Sequence, residues 1–164
     1  MRIRQEEAAD WTELVSLYAA AFGQSAEADL VKRLRTDGDL ILALTAFDGK
    51  PVGHLVFSRL TLYETPSIKG CVLAPLVVSP AYQRKGIGSA LLEEGLQRLT
   101  EAGFDLVVVL GDPNYYGRFG FSAQLASKLK TPYDGPYLQA LTLTKKGREA
   151  HGSVAYAGAF AELR

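Results

Sequence analysis

The chain has 164 residues, a length that fits one domain with a sizeable hydrophobic core. Its 18 Lys and Arg residues balance 18 Asp and Glu residues, so the overall charge favours neither nucleic acid nor an anionic membrane as a partner. The single cysteine, Cys71, has no second thiol for an internal disulfide, which fits a reducing compartment. The start of the chain is not a secretory n-region, and no apolar run approaches the roughly 20 residues of a membrane span. These features predict a cytoplasmic protein with a single domain over residues 1–164.

The first third of the chain predicts a strand followed by two helices. Ile3 lies in a short strand-like start, and Asp10 or Thr12 is suited to cap the helix that follows. Gly23 ends this helix, and a second helix is predicted over residues 25–35. The apolar residues that recur at helical spacing in the first helix are Trp11, Leu14, Val15, Tyr18 and Phe22. Aromatic residues at this spacing are typical of a core, with a substrate groove as the alternative.

Three strands are predicted next. Residues 40–47 form an apolar run, Asp48-Gly49 is a hairpin signal, and residues 52–63 supply the partner strand. After a loop, residues 71–78 continue the sheet. Pro75 interrupts this last strand, and a proline inside a strand predicts a bulge or a local loss of pairing.

A basic, glycine-containing turn over residues 83–88 predicts an anion site. The apolar run before it stops at Pro80, and an amphipathic helix begins at Ile87. Glycines let backbone N–H groups approach a ligand, and a helix N-terminus carries about half a positive charge. The turn therefore suits a phosphate or pyrophosphate. No P-loop pattern occurs, and the dinucleotide fingerprint fails because Leu91 stands where a third small residue is required.

The second half of the chain continues with regular elements and then becomes less informative. The helix from Ile87 ends near Gly103, and residues 105–110 predict a buried parallel strand, reached by a right-handed crossover. Asp112 is placed to cap a short helix that Gly120 ends. Further strands are predicted at residues 137–143 and 153–160, after a loop at residues 131–136.

The turn Gln83-Arg84-Lys85-Gly86-Ile87-Gly88 resembles the pyrophosphate motif of the GCN5-related N-acetyltransferase (GNAT) superfamily, which binds acetyl-CoA. The segment Gly111–Phe121 resembles the second signature of the superfamily and is most similar to that of the YhbS-type predicted acetyltransferases. The resemblance implies the GNAT fold, an α/β (α+β) fold with a central, mostly antiparallel, twisted sheet. Its middle strands splay apart, and helices flank it.

The resemblance also implies which residues bind the acetyl-CoA co-substrate. The strand that contains Pro75 is expected to pair its unpaired backbone groups with the pantetheine arm, and the turn is expected to hold the pyrophosphate. Many relatives carry an Asn where this chain has Val109, so Asn114 is the candidate substitute for that contact. The predicted cofactor-binding residues are Leu76, Val77, Val78, Gln83, Arg84, Lys85, Gly86, Ile87, Gly88, Ser89 and Asn114.

Two residues are the catalytic candidates. The resemblance places Tyr116 at the usual position of the general acid, with a core tyrosine as the alternative interpretation. Glu64 is the candidate base, and His54 and a chain of waters are the alternatives. Cys71 lacks a neighbouring base in the sequence, so a covalent acetyl-enzyme is not expected. No Cys/His spacing predicts a metal site.

The predicted function is acetyl transfer from acetyl-CoA to a primary amine by direct attack in a ternary complex. A non-catalytic CoA- or acyl-CoA-binding sensor of the same fold is the alternative, and a dinucleotide-binding module is a weaker one. The expected partner is a small-molecule or peptide amine acceptor, without nucleic acid or membrane. Dimers are common among similar proteins, so a homodimer stays open.

Overall fold

A computed structural model describes residues 1–133 and 135–162, and the loop predicted at Asp134 lies outside the described residues. None of the helices in that part of the chain has the length and hydrophobicity of a membrane-spanning segment. The α-helices are α1 (Trp11–Phe22), α2 (Ala26–Thr36), α3 (Ile87–Glu101), α4 (Pro113–Tyr116) and α5 (Ala123–Ala126). The β-strands are β1 (Arg2–Gln5), β2 (Leu40–Phe47), β3 (Pro51–Leu62), β4 (Gly70–Val78), β5 (Leu106–Leu110), β6 (Leu129–Lys130), β7 (Leu138–Thr142) and β8 (Gly152–Tyr156).

The chain divides into two compact units. The first unit contains Met1–Ser58, Ala74–Gln97 and the residues from Ala157 onward, and the second contains Arg59–Leu73 and Arg98–Tyr156. Strands β3 and β4 and helix α3 contribute residues to both units. The single domain expected from the chain length therefore stays a prediction.

In the first unit the strand order is β1–β2–β3–β4. Strands β1 and β2 pair antiparallel, as do β2 and β3. The predicted hairpin is confirmed: Asp48 donates its N–H to the Lys50 carbonyl at 2.9 Å, and Gly49 has φ 74°. Helices cover both faces of β3, because the hydroxyl of Tyr18 on α1 contacts His54, while a Cβ at Gly53 would meet Leu91 on α3 at 2.9 Å.

Helix α1 buries a different stripe from the predicted one. Its buried residues are Leu14, Leu17 and Tyr18, whereas Val15 is 37% and Phe22 39% exposed. Of the aromatic residues for which a core position was favoured over a groove, Tyr18 is buried, Trp11 is half-buried and Phe22 is exposed. Leu14, Leu17 and Tyr18 are spaced i, i+3 and i+4 and share one helix face, and Val15 lies beside that face. Phe22 lies on the same face but is the last residue of α1.

In the second unit β5 lies between β4 and β7. Gly70–Leu73 of β4 pair parallel with β5, which confirms the predicted parallel strand, and β5 pairs antiparallel with β7. Strand β8 pairs antiparallel with β3 and parallel with β6. The register between β4 and β5 ends at Leu73, two residues before Pro75. On the side of β5 the pairing thus stops before this proline, while β4 continues as a strand to Val78.

The last predicted strand is only partly correct. Strand β8 ends at Tyr156, and Gly158–Glu162 form a 3₁₀-helix. The neighbouring residues Ala159 and Phe160 are both buried, which differs from the alternating burial of a half-buried strand. Helix α5 and strand β6 were not predicted, because four and two residues are too few to show a period.

Candidate functional site

The turn between β4 and α3 contains two left-handed residues. Arg84 has φ 64° and Gly86 has φ 81°, and both are exposed. The side chain of Gln83 donates from Nε2 to the Val78 carbonyl at 3.2 Å and closes the turn onto the end of β4. Left-handed conformations are uncommon outside glycine. Arg84 in that region therefore indicates a turn whose backbone path is constrained.

The first amides of α3 lead directly out of this turn. Ala90 donates its N–H to the Gly86 carbonyl at 3.0 Å, which is the first bond of the helical pattern. The N–H groups of residues 87–89 precede that bond and lack an acceptor within the helix. Ile87 is 5% exposed and anchors the helix start in the core. These amides and the positive end of the helix dipole lie together at the start of α3, an arrangement that suits an anion.

Tyr82 connects the turn to the β2–β3 hairpin. It hydrogen-bonds to Asp48, and this bond raises the pKa of Tyr82. Lys85 Nζ lies 5.3 Å above the centre of the same ring. The sequence did not reveal this support, because 34 residues separate the two partners and no local pattern links them.

Residues 76–78 of β4 alternate in burial. Val77 is 3% exposed, whereas Leu76 and Val78 are half-buried. All three lie beyond Leu73, where the parallel register with β5 ends. The segment predicted to bind the pantetheine arm is therefore the part of β4 outside that ladder.

In the second unit α4 presents Tyr116. Asp112 caps the helix by accepting the N–H of Asn114 at 2.9 Å, and Pro113 is the first helical residue, as predicted. The Tyr116 ring packs edge-on against Phe121, with centroids 5.7 Å apart, and against Tyr115 at 5.0 Å. Burial and then the neighbouring Tyr115 raise the pKa of Tyr116 to about 12. Its hydroxyl is protonated at neutral pH and can donate a hydrogen bond.

Two residues that the sequence interpretation missed surround Tyr116. A Cβ at Gly111 would lie 2.6 Å from Tyr116 Cε2, so the ring occupies the place of a side chain there. Gln139, 1% exposed, donates from Nε2 to the Gly111 carbonyl at 3.0 Å. The position of Gln139 in the alternating segment 137–143 could have indicated a buried polar residue, but the pattern did not show what its side chain contacts.

The two candidate bases have different surroundings. Glu64 is exposed and its Oε2 accepts the backbone N–H of Ser153 at 2.8 Å. His54 is fully buried between Tyr18 (2.7 Å from Nδ1) and Glu6 (2.8 Å from Nε2). Burial and then the charge of Arg35 lower the pKa of His54 to about 3. His54 is thus buried and hydrogen-bonded at both ring nitrogens, whereas Glu64 is exposed to solvent.

The other candidates raised by the sequence are the Cys71 thiol, Asn114 as a substitute CoA contact, and a metal site. Cys71 is buried, and burial raises the pKa of its thiol, which disfavours the thiolate that a covalent route needs. Asn114 is exposed on α4, and Val109 is 2% exposed within β5. Among residues 1–133 and 135–162 no group of three or more His, Cys, Asp or Glu side chains could hold a metal ion.

Comparisons with known proteins place this arrangement among acetyltransferases. The model of the acetyltransferase (GNAT) family matches residues 2–121. The chain is 37% identical over 137 residues to the uncharacterized N-acetyltransferase YhbS of Escherichia coli strain K12, covering 82% of this chain and 81% of that protein. It is 39% identical over 132 residues to the uncharacterized N-acetyltransferase YjhQ of the same strain, covering 78% and 71%.

Two solved structures are similar over nearly the whole chain. The crystal structure of Escherichia coli YhbS in complex with CoA has a TM-score of 0.90 and 34% identity, covering 98% of this chain and 91% of that one. A GNAT family acetyltransferase from Brucella melitensis in complex with acetyl-CoA has a TM-score of 0.80 and 36% identity, covering 97% of each chain.

Proposed function

This chain belongs to the acetyltransferase (GNAT) family, and we propose that it transfers an acetyl group from acetyl-CoA to a primary amine. The acceptor is a small molecule or a peptide. The amine attacks the thioester directly while both substrates are bound. Similar proteins from Escherichia coli and Brucella melitensis were crystallised with CoA and with acetyl-CoA, which supports the same co-substrate here.

The observation that carries the proposal is the turn over residues 83–88. Its left-handed Arg84 and Gly86 direct the chain into the start of α3, where three amides are available to an anion. Residues 83–86 of the turn are exposed, and a Cβ at Gly86 would meet no protein atom within 4 Å. The space beside it is therefore open to a ligand, and a pyrophosphate matches the convergent donors in charge. Arg84 and Lys85 add positive charge at the same place.

The chemistry requires one bond to form and one to break. The amine nitrogen attacks the thioester carbonyl carbon, the new C–N bond forms, and the C–S bond breaks with its electron pair moving to sulfur. Backbone N–H groups at Leu76 or Val78 are proposed to polarise the carbonyl, in the part of β4 beyond its ladder with β5. Glu64 is proposed to accept the proton that the amine loses. Because Glu64 Oε2 already accepts the backbone N–H of Ser153, Oε1 is the oxygen proposed to accept the proton.

Tyr116 is proposed to stabilise the departing sulfur. Its raised pKa, about 12, keeps the hydroxyl protonated. A hydrogen bond to the developing thiolate lowers the barrier without requiring the tyrosine to ionise. The remaining predicted residues, Gln83, Ile87, Gly88, Ser89, Val77 and Asn114, are proposed to contact the CoA moiety.

The test measures release of free CoA from acetyl-CoA across a panel of primary amines, together with the affinity for acetyl-CoA by calorimetry. We expect acetyl-CoA to bind and at least one amine to be acetylated. Binding without turnover on any amine would instead support the non-catalytic sensor. Absence of CoA binding, with NAD bound in its place, would contradict the proposal altogether.

A further inference from the structure

We propose that Gly111 and Gln139 are positioning residues that set the orientation of the Tyr116 ring. The inference rests on the role proposed above for the Tyr116 hydroxyl. All three residues belong to the second unit.

The first observation is the contact between Gly111 and the ring. A Cβ at Gly111 would lie 2.6 Å from Tyr116 Cε2, 3.1 Å from Cδ2 and 3.6 Å from Cζ. These are the ring atoms along one edge, ending at the carbon that bears the hydroxyl. The φ of Gly111 lies outside the left-handed region, so the backbone does not require glycine at this position. The requirement is space for the ring.

The second observation is that the backbone of Gly111 is held at both ends of the residue. Its N–H donates to the Tyr137 carbonyl at 3.0 Å. Its carbonyl accepts from Gln139 Nε2 at 3.0 Å, and the same nitrogen also donates to the Tyr137 carbonyl at 3.3 Å. Gln139 is 1% exposed, so water does not substitute for it. The buried side-chain amide of Gln139 thus holds in place the Gly111 backbone, against which the Tyr116 ring packs.

The third observation is that aromatic rings confine the Tyr116 ring further. Phe121 and Tyr115 meet it edge-on, with interplanar angles of 70° and 89°. The Tyr116 ring therefore has little room to move, and the position of its hydroxyl oxygen follows from the position of Gly111. A hydrogen bond to a leaving sulfur depends on that position, and small displacements of a catalytic group reduce rates strongly.

The experiment uses the full chain with Gly111→Ala and Gln139→Met, each made alone and together with Tyr116→Phe. Gly117→Ala is the matched control, because a Cβ at Gly117 meets no atom within 4 Å in the same segment. The readouts are kcat, the KM for acetyl-CoA, thermal unfolding, and the ¹³C resonances of labelled tyrosine. The Tyr116 resonance is identified by its loss in Tyr116→Phe.

We expect both variants to shift the Tyr116 resonance and to lower kcat about tenfold, with the KM for acetyl-CoA within twofold of wild type. In the Tyr116→Phe background neither should lower kcat further, since both act through the missing hydroxyl. Gly117→Ala should leave the resonance and kcat unchanged. If one variant does not fold, the other decides.

Folded variants with an unmoved Tyr116 resonance, or a loss of kcat that persists in full without the hydroxyl, would overturn the inference. If Tyr116→Phe alone keeps wild-type kcat, the role proposed for the hydroxyl fails. The resonance then still decides whether Gly111 and Gln139 orient the ring.

Discussion

The pH dependence of Tyr116 tests the proposed chemistry most directly. Replacing Tyr116 by Phe keeps the ring, and with it the packing against Phe121 and the contact with Gly111. Only the hydroxyl is lost. The variant should therefore fold and bind acetyl-CoA like the wild type while kcat falls.

The magnitude follows from two pKa values. Burial raises the pKa of Tyr116 to about 12, whereas an ordinary thiol has a pKa of about 8.5. Transfer of the tyrosine proton to the departing thiolate is therefore uphill by about 3.5 units, or about 5 kcal/mol. A hydrogen bond to a charged group contributes about 1.5–3 kcal/mol instead. We expect Tyr116→Phe to lower kcat about 10- to 100-fold.

The pH profile distinguishes the two roles. A buried tyrosine with a raised pKa stays protonated as the pH increases, so kcat at saturating substrates should not fall between pH 8 and pH 10 because of Tyr116. Steady-state rates of wild type and Tyr116→Phe over that range provide the measurement. A fall in wild-type kcat with an apparent pKa near 9, absent from Tyr116→Phe, would refute the reasoning from burial.

Further predictions concern the turn and the core. Gly88→Val should raise the dissociation constant of acetyl-CoA at least tenfold, about 1.4 kcal/mol, while the unfolding temperature stays near wild type; unchanged affinity by calorimetry would remove the turn from the site. Replacing Arg84 and Lys85 by Gln should weaken CoA binding and flatten its salt dependence, because exposed charges are screened; an unaltered salt slope would leave the amides as the sole anion donors. Because the pKa of His54 falls from an ordinary 6.5 to about 3 in the folded chain, the unfolded chain binds an extra proton between these values. The free energy of unfolding should therefore fall as the pH drops below about 6.5, by up to about 1.4 kcal/mol per unit. Urea unfolding at pH 7 and pH 5 should show this fall in the wild type and a smaller one in His54→Gln, and equal falls would contradict it.

Much of the local structure was predictable, because its causes act over a few residues. Strand β2 occupies the predicted residues 40–47, and the Asp48-Gly49 turn follows it. Helix α3 begins at the predicted Ile87, and Asp112 caps α4 through its own side chain. Periodicity, capping and turn chemistry are properties of neighbouring residues, so the chain itself specifies them. The motif around Gly86 could be read for the same reason.

The position of each element within the core was less predictable. Val15 has the helical spacing of a core residue but lies 37% exposed, because the width of the buried stripe depends on what packs against it. His54 lies in a strand with apolar neighbours, and this pattern favoured a core histidine over a base but did not show what the ring contacts. Its contacts with Tyr18 and Glu6 come from segments 36 and 48 residues away.

The sequence alone determined the glycine-containing turn over residues 83–88 and the short capped helix that carries Tyr116. Each is a local pattern with a local cause. Tertiary structure alone decided the left-handed Arg84, the bond between Tyr82 and Asp48, and the contact of Gly111 with Tyr116. It also decided the raised pKa of Tyr116. These features depend on which atoms the fold brings within a few ångströms of each other, through desolvation, close packing beside a glycine, or a hydrogen bond between distant residues. The order of residues in the sequence does not give those distances.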